Sequence, residues 1–214
     1  YALFLFIAAG VSAVTAGLLW RRRSVPSAVP LVVFVGGLFV WSITYALYWL
    51  SASSPARVFW LDATYLGVVT APAAVFVFVL YYTHREHWIT RNLLLLLTIQ
   101  PVLTLIILWT DSWHGLFFAG LRSADASAIL DGGPWFWIHV VYSYGLLAIS
   151  YGLLARQYMR SARPYRQQTA IVLFAFALPW LSNIIGIAGL NPLPDIDLTP
   201  LAFTLTGLIL VYAL

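Results

Sequence analysis

The chain has 214 residues, of which 62% are hydrophobic and 8% charged, with a mean hydropathy of +0.90 and a formal net charge of +4. Soluble domains carry about a quarter charged residues, so this composition excludes a water-soluble fold and describes an integral membrane protein. There is no cysteine, which excludes disulfides, thiolate metal sites and cysteine nucleophiles, and all eleven basic residues are arginine.

A membrane-crossing helix needs about 20 mostly apolar residues. Seven stretches qualify: 1–20, 28–50, 62–82, 92–109, 134–157, 169–188 and 198–214. The first is too long for the apolar region of a signal peptide and has no small-residue cleavage site after Arg23, so it is a span. Its Ala9, Ala13 and Gly17 recur every four residues, a spacing that suits close packing on a neighbour. The second presents Trp41, Tyr45 and Tyr48 along one face, and the third opens with Asp62 and Tyr65. Pro72 in the third and Pro179 in the sixth should kink their helices and free carbonyls that neighbouring helices must satisfy.

The fourth span ends at "WTDSWH" and leads into the longest connection, Thr110 to Gly133. Within it "LFFAGL" and "SAILDGG" flank the polar turn "RSADA", a pattern that suggests a small β-hairpin over the mouth of the bundle. The fifth begins "GPWFWIHVVYSYG": Pro134 suits a first turn, and Trp135 and Trp137 suit the headgroup level. Trp135, His139, Tyr142 and Ser143 follow at spacings of three and four and share a face. Asn183 lies one turn after Pro179 in the sixth. The seventh apolar run is still open at Leu214, as the first already is at Tyr1, so the chain is expected to continue beyond Leu214.

The connections sort by charge. One set holds Arg21, Arg22, Arg23, Arg85, Arg91, Arg156, Arg160, Arg163 and Arg166, opposed only by Glu86. The other holds Arg57 and Arg122 with Asp62, Asp111, Asp125, Asp131, Asp195 and Asp197. Arginine-rich loops stay on the cytoplasmic side, which puts the N-terminus outside and the C-terminus inside. The basic excess is thereby a topology device with lipid-phosphate contacts, not a nucleic-acid footprint. The expected architecture is all-α: a single seven-helix transmembrane domain over residues 1–214, with a bilayer as its first partner.

Polar side chains inside a membrane face the bundle interior or a wet cavity. Trp41, Tyr45, Tyr48, Asp62, Tyr65, Trp135, His139, Tyr142 and Asn183 are therefore the candidate residues of an outward-opening pocket for a small molecule or lipid. The competing reading is interhelical hydrogen bonding, worth about 1 kcal/mol per bond. His139 facing lipid would leave a ring N–H unpaired, so it should turn inward, with Asp62, Tyr65 or Asn183 as partners. Asp111, His114 and His139 do not form a converging ligand motif, and His84 and His87 of "HREH" sit in a basic interfacial loop, so neither a metal nor another cofactor is expected.

Catalysis is also not expected. A covalent retinal needs a lysine, and none is present. Intramembrane hydrolysis needs paired carboxylates or a serine–histidine pair at depth, whereas every Asp sits at the outer edge and Glu86 at the inner one. A small-molecule transporter, or a lipid-binding membrane protein, is the alternative function. Its weaknesses are the odd helix number and the lack of an internal repeat.

In order along the chain stand "WSITYALYWLS", "DATYLGVVTAPAAVFVFVLYYT", "WTDSWHGLFF", "GPWFWIHVVYSYGLL", "RQQTAIVLFAFALPWLSN" and "DIDLTPLAFTLTGLIL". This succession resembles the N-terminal seven-helix region of membrane histidine kinases, over essentially the whole chain. The resemblance implies a sensory or anchoring input domain in a prokaryotic plasma membrane. It would signal through helix seven to cytoplasmic PAS, dimerisation and ATP-binding modules of a two-component system, and would act as a homodimer. One departure is Tyr48, where that family often has an acidic residue after "YAL". No phosphoacceptor box and no ATP lid lie in this stretch, so the stretch itself should not be an enzyme.

Overall fold

The computed structural model describes residues 1–119, 132–187 and 198–213, the side chains of Arg163, Pro164, Asn183, Ile184, Gly186, Ile187, Tyr212 and Ala213 excepted. The elements are α1 (Ala2–Arg21), α2 (Ala28–Leu50), α3 (Ser54–Val68), α4 (Thr70–Tyr82), a 3₁₀ turn (Glu86–Trp88), α5 (Arg91–Trp109), α6 (Asp111–His114), α7 (Pro134–Arg160), α8 (Arg163–Ile187) and α9 (Thr199–Ala213). No strand occurs among the described residues. Four helix-containing stretches, Ala2–Arg21, Ala28–Leu50, Arg91–Trp109 and Pro134–Arg160, and the rod Ser54–Tyr82 are long and apolar enough to cross a membrane. The chain is thus a membrane helical bundle.

Proline explains why α3 and α4 are separate. Pro72 has no N–H, so the Val68 carbonyl loses its intrahelical partner and the ladder is interrupted. Val69, between the two helices, nevertheless keeps helical dihedrals (φ −72°, ψ −23°), so the 29 residues from Ser54 to Tyr82 run as one rod. That rod starts eight residues before the expected onset at position 62. Ser53 is extended and Pro55 occupies the first turn, which starts the helix in the polar interfacial segment that hydropathy does not detect. For the same reason α8 begins at Arg163 and not at 169, because the segment "RPYRQQ" is helical without being apolar.

The hairpin expectation meets a different local structure in its described part. Asp111–His114 is one helical turn, Gly115 closes it in the left-handed conformation (φ 63°), and residues 116–119 form turns. The rest of the expected hairpin, residues 120–131, lies outside the described residues.

At the centre stands α2, packed against α1, α3, α4 and α9. Its Leu31, Phe34, Val35, Leu38 and Trp41 meet Val75, Phe78 and Val79 of α4, Val172 and Ala175 of α8, and Phe203 and Leu210 of α9. Phe203 lies between Phe34 and Trp41, with ring centroids 5.9 Å and 5.7 Å away. The crossing of α2 over α3 is made by backbone. A Cβ on Gly67 would collide with the Gly37 carbonyl oxygen, and one on Gly37 would lie 2.6 Å from the Thr70 hydroxyl.

α1 lies against α2 through Leu5, Ala8, Ala9, Ser12, Thr15 and Leu19. Of the expected small-residue stripe only Ala9 is in this face; Ala13 and Gly17 are exposed. A strict four-residue repeat drifts about 40° per step around a 3.6-residue helix. The observed face alternates steps of three and four and takes Ser12 and Thr15 out of lipid. The exterior is correspondingly apolar, with Leu3, Phe4, Ile7, Val14 and Leu18 on α1 and Leu94, Leu96, Ile99, Val102 and Ile106 on α5 all exposed. A soluble monomer does not present such a surface, whereas the hydrocarbon of a bilayer covers it without cost.

Candidate functional site

The candidate residues fall into three places. Near one end of α2, Tyr45 and Tyr48 stack at 5.5 Å, and Tyr1 meets Tyr45 and Trp49 edge-on at 6.0 Å and 5.6 Å. Arg57 donates from Nη2 to the Tyr48 hydroxyl at 2.8 Å, with its guanidinium 4.7 Å from the centre of the same ring. Tyr48, at the position where the family resemblance leads one to look for an acid, is thus a buried partner of an arginine. Asp62 is buried two turns into the same rod as Tyr65, while Trp41 belongs to the core against Phe203.

The second place is the interface of α5 and α7. His139 is 4% exposed. Its Nδ1 is 3.2 Å from Gln100 Nε2 and its Nε2 is 3.4 Å from Ser143 Oγ. With Nδ1 accepting from the amide, Nε2 carries the hydrogen and donates to the serine. Gln100 Nε2 also donates to Thr104 Oγ1 at 2.9 Å, and the Trp135 indole N–H donates to the same oxygen at 3.1 Å. One turn the other way, the Tyr142 hydroxyl donates to the Leu97 carbonyl at 3.0 Å. That carbonyl is free because Pro101, four residues on, has no N–H.

His139 therefore turns inward as its chemistry requires, but towards Gln100 and Ser143. Of the three expected partners, Tyr65 brings its ring to 6.4 Å from the imidazole, and the Asn183 side chain lies outside the described residues. Sequence reasoning missed Gln100, Thr104 and Pro101. The signal was available: Gln100 is a lone amide in the apolar run "LLLLLTIQPVLTLIILW", one turn before Thr104 and next to a proline.

The contacts have a common register. Running antiparallel, Leu97 pairs with Tyr142, Gln100 with His139 and Thr104 with Trp135, so one polar contact falls at each turn. Gln100 Oε1 is buried and has no hydrogen-bond partner among the described residues. Chemically the cluster offers one open acceptor, an imidazole, a serine hydroxyl and the Tyr65 ring. In this tautomer Nε2 donates to Ser143, the reverse of the polarity by which an imidazole activates a hydroxyl.

The third place is the cap over α7. Asp111 is 3% exposed and its carboxylate accepts the backbone N–H groups of Phe117 at 2.6 Å and Phe118 at 3.3 Å. The turn so fixed presents the Leu116 and Phe117 carbonyls, which accept from Trp135 N at 3.0 Å and Gly133 N at 2.7 Å, serving the otherwise orphan donors at the start of α7. His114 Nδ1 accepts from Leu116 N at 3.1 Å and its Nε2 lies 3.0 Å from the Thr110 hydroxyl. "WTDSWHGLFF" is therefore a folded cap whose acid and histidine are both occupied by backbone. No group of three or more potential metal-ligating side chains converges among the described residues.

No curated protein and no solved structure matches the chain. The family described as the N-terminal 7TM region of histidine kinase matches residues 4–214. With nearly every residue covered, and an apolar helical bundle beneath the match, the chain belongs to that family.

Proposed function

We propose that this chain is the membrane-embedded input domain of a two-component histidine kinase in a prokaryotic plasma membrane. The observation that carries this reading is the family match over residues 4–214. Seven rods cross the bilayer, α1, α2, α3 with α4, α5, α7, α8 and α9. The arginine-rich ends of the rods are cytoplasmic, the N-terminus is outside and α9 leads into cytoplasmic kinase modules that dimerise. The stimulus is a small molecule or lipid that reaches the polar cluster around His139, Gln100 and Tyr65, with the Tyr45, Tyr48 and Asp62 region beside it. The buried Gln100 Oε1, which the described residues leave unused, supports a ligand donor at that position. A ligand acts by favouring one packing of the helices, so it must bind the two packings with different affinity.

The test is to measure autophosphorylation of the protein carrying its kinase modules, in proteoliposomes, with His139→Gln, Gln100→Leu and Ser143→Ala. These positions are remote from any ATP site, so a change in kinase rate at unchanged expression and ATP affinity supports an input domain. Wild-type rates in all three, under every lipid composition and external pH tried, would leave only an anchor. The transporter reading makes the opposite claim: solute uptake by vesicles containing residues 1–214 alone.

A further inference from the structure

The mid-helix prolines of α5 and α8 each leave a carbonyl without its helical N–H, and in both cases a hydroxyl from a neighbouring helix takes it. Pro101 frees Leu97 O, which accepts from Tyr142 at 3.0 Å; Pro179 frees Ala175 O, which accepts from Thr206 of α9 at 2.6 Å. The second case has a further property. Thr206 Oγ1 also lies 3.0 Å from the Ala202 carbonyl, one turn back in its own helix. A threonine hydroxyl has one hydrogen and two acceptors here, so it can leave α8 and remain satisfied within α9. Thr206 and Ala175 are both fully buried, so no exposed water competes for the bond. Beside it the packing is permissive: a Cβ on Gly207 would meet only the ends of Val35 and Leu38, at 3.4 Å and 3.8 Å.

We propose that Thr206 is a two-position latch between α8 and α9. In the latched position its hydroxyl closes the gap that Pro179 makes in α8. In the released position it returns to Ala202 O and α9 is free to shift against α8. The use of this latch in signalling rests on the relay through α9 proposed above; the latch itself does not.

The absence of cysteine allows a direct measurement. Spin labels are placed on the exposed positions Phe174→Cys of α8 and Leu208→Cys of α9 in the 214-residue chain, in bicelles, with thermal unfolding recorded in parallel. Thr206→Val keeps the shape and removes the hydroxyl. It should broaden the 174–208 distance distribution and lower the melting temperature by about 2–4 °C. Thr206→Ser should behave as wild type. Pro179→Ala returns an N–H to the Ala175 carbonyl, so in that background Thr206→Val should lose at least half of its effect. A Thr206→Val chain indistinguishable from wild type, or an equal loss with and without Pro179, overturns the latch. If Thr206→Val alone does not fold, recovery of folding in the double variant supports the latch and continued failure overturns it. Kinase activity is not read, so the relay can fail in its own assay while the latch stands, and the reverse.

Discussion

Alanine at Gly67 is the sharpest test of the packing, because its effect opposes the local preference of the helix. Glycine in a helix interior is about 1 kcal/mol less favourable than alanine, so on propensity alone Gly67→Ala stabilises. The crossing says otherwise. The added Cβ would strike the Gly37 carbonyl oxygen and lie 2.8 Å from both the Trp41 nitrogen and its Cβ. These are atoms of helix backbone or next to it, so relief requires α2 and α3 to separate. Overpacking of that kind costs about 1–3 kcal/mol, and the separation also loosens Trp41 from Phe203. After the propensity gain, a net loss of up to about 2 kcal/mol is expected. Gly36→Ala is the internal control: it is the neighbour of Gly37, and its Cβ would meet nothing within 4 Å, so it should be neutral or stabilising. Both are read by unfolding in mixed micelles with increasing denaturing detergent. Gly67→Ala as stable as Gly36→Ala would show that the two backbones do not touch.

Single cysteines at Ser54 and Ser161 should label from outside and only after permeabilisation, respectively; the reverse pattern would invert the arginine-based map. Asp111→Ala should cost about 3 kcal/mol, since a buried and a half-buried backbone N–H both lose their carboxylate acceptor, and Asp111→Asn less; equal stability of all three chains would remove the cap from the account. Tyr142→Phe should destabilise by about 1–3 kcal/mol through the orphaned Leu97 carbonyl, and Pro101→Ala should abolish that loss; unfolding of the four chains of the cycle decides it.

Apolar length located each rod of the bundle, and the places where it misjudged an onset are physical. Hydropathy measures transfer into lipid, whereas helices start where a residue can cap or begin them. Ser53 with Pro55, and the polar turn after Arg163, lie on the second criterion and not the first. Pro72 and Pro179 were legible as gaps in hydrogen bonding, Pro101 was overlooked, and Thr206 answers Pro179 as a neighbouring helix had to. Which neighbour would answer was not legible, because it depends on interhelical register. The same limit hid the partners of His139: its spacing on α7 fixed an inward face, but not that α5 faced it with Gln100 at that height.

That register bears on how a helix with so little buried surface is held. α5 buries only Leu97, Pro101, Thr104 and Leu108, and apolar attraction between helices is weak in lipid. The contacts that fix it against α7 are therefore the three polar ones, Leu97 with Tyr142, Gln100 with His139 and Thr104 with Trp135. A slip of one turn, about 5.4 Å, would break all three together, so α5 has discrete positions and no gradual slide. The middle rung should then behave as a coupled pair. Gln100→Leu leaves the His139 ring short of a partner, and His139→Leu leaves the Gln100 amide with only Thr104, each costing about 1–3 kcal/mol. Replacing both removes the polar groups along with their need for partners. The double variant should therefore be more stable than the sum of the single losses predicts, by about 1 kcal/mol or more in the same unfolding assay. Additive losses would mean that the two side chains do not satisfy one another, and α5 would need another explanation for its register.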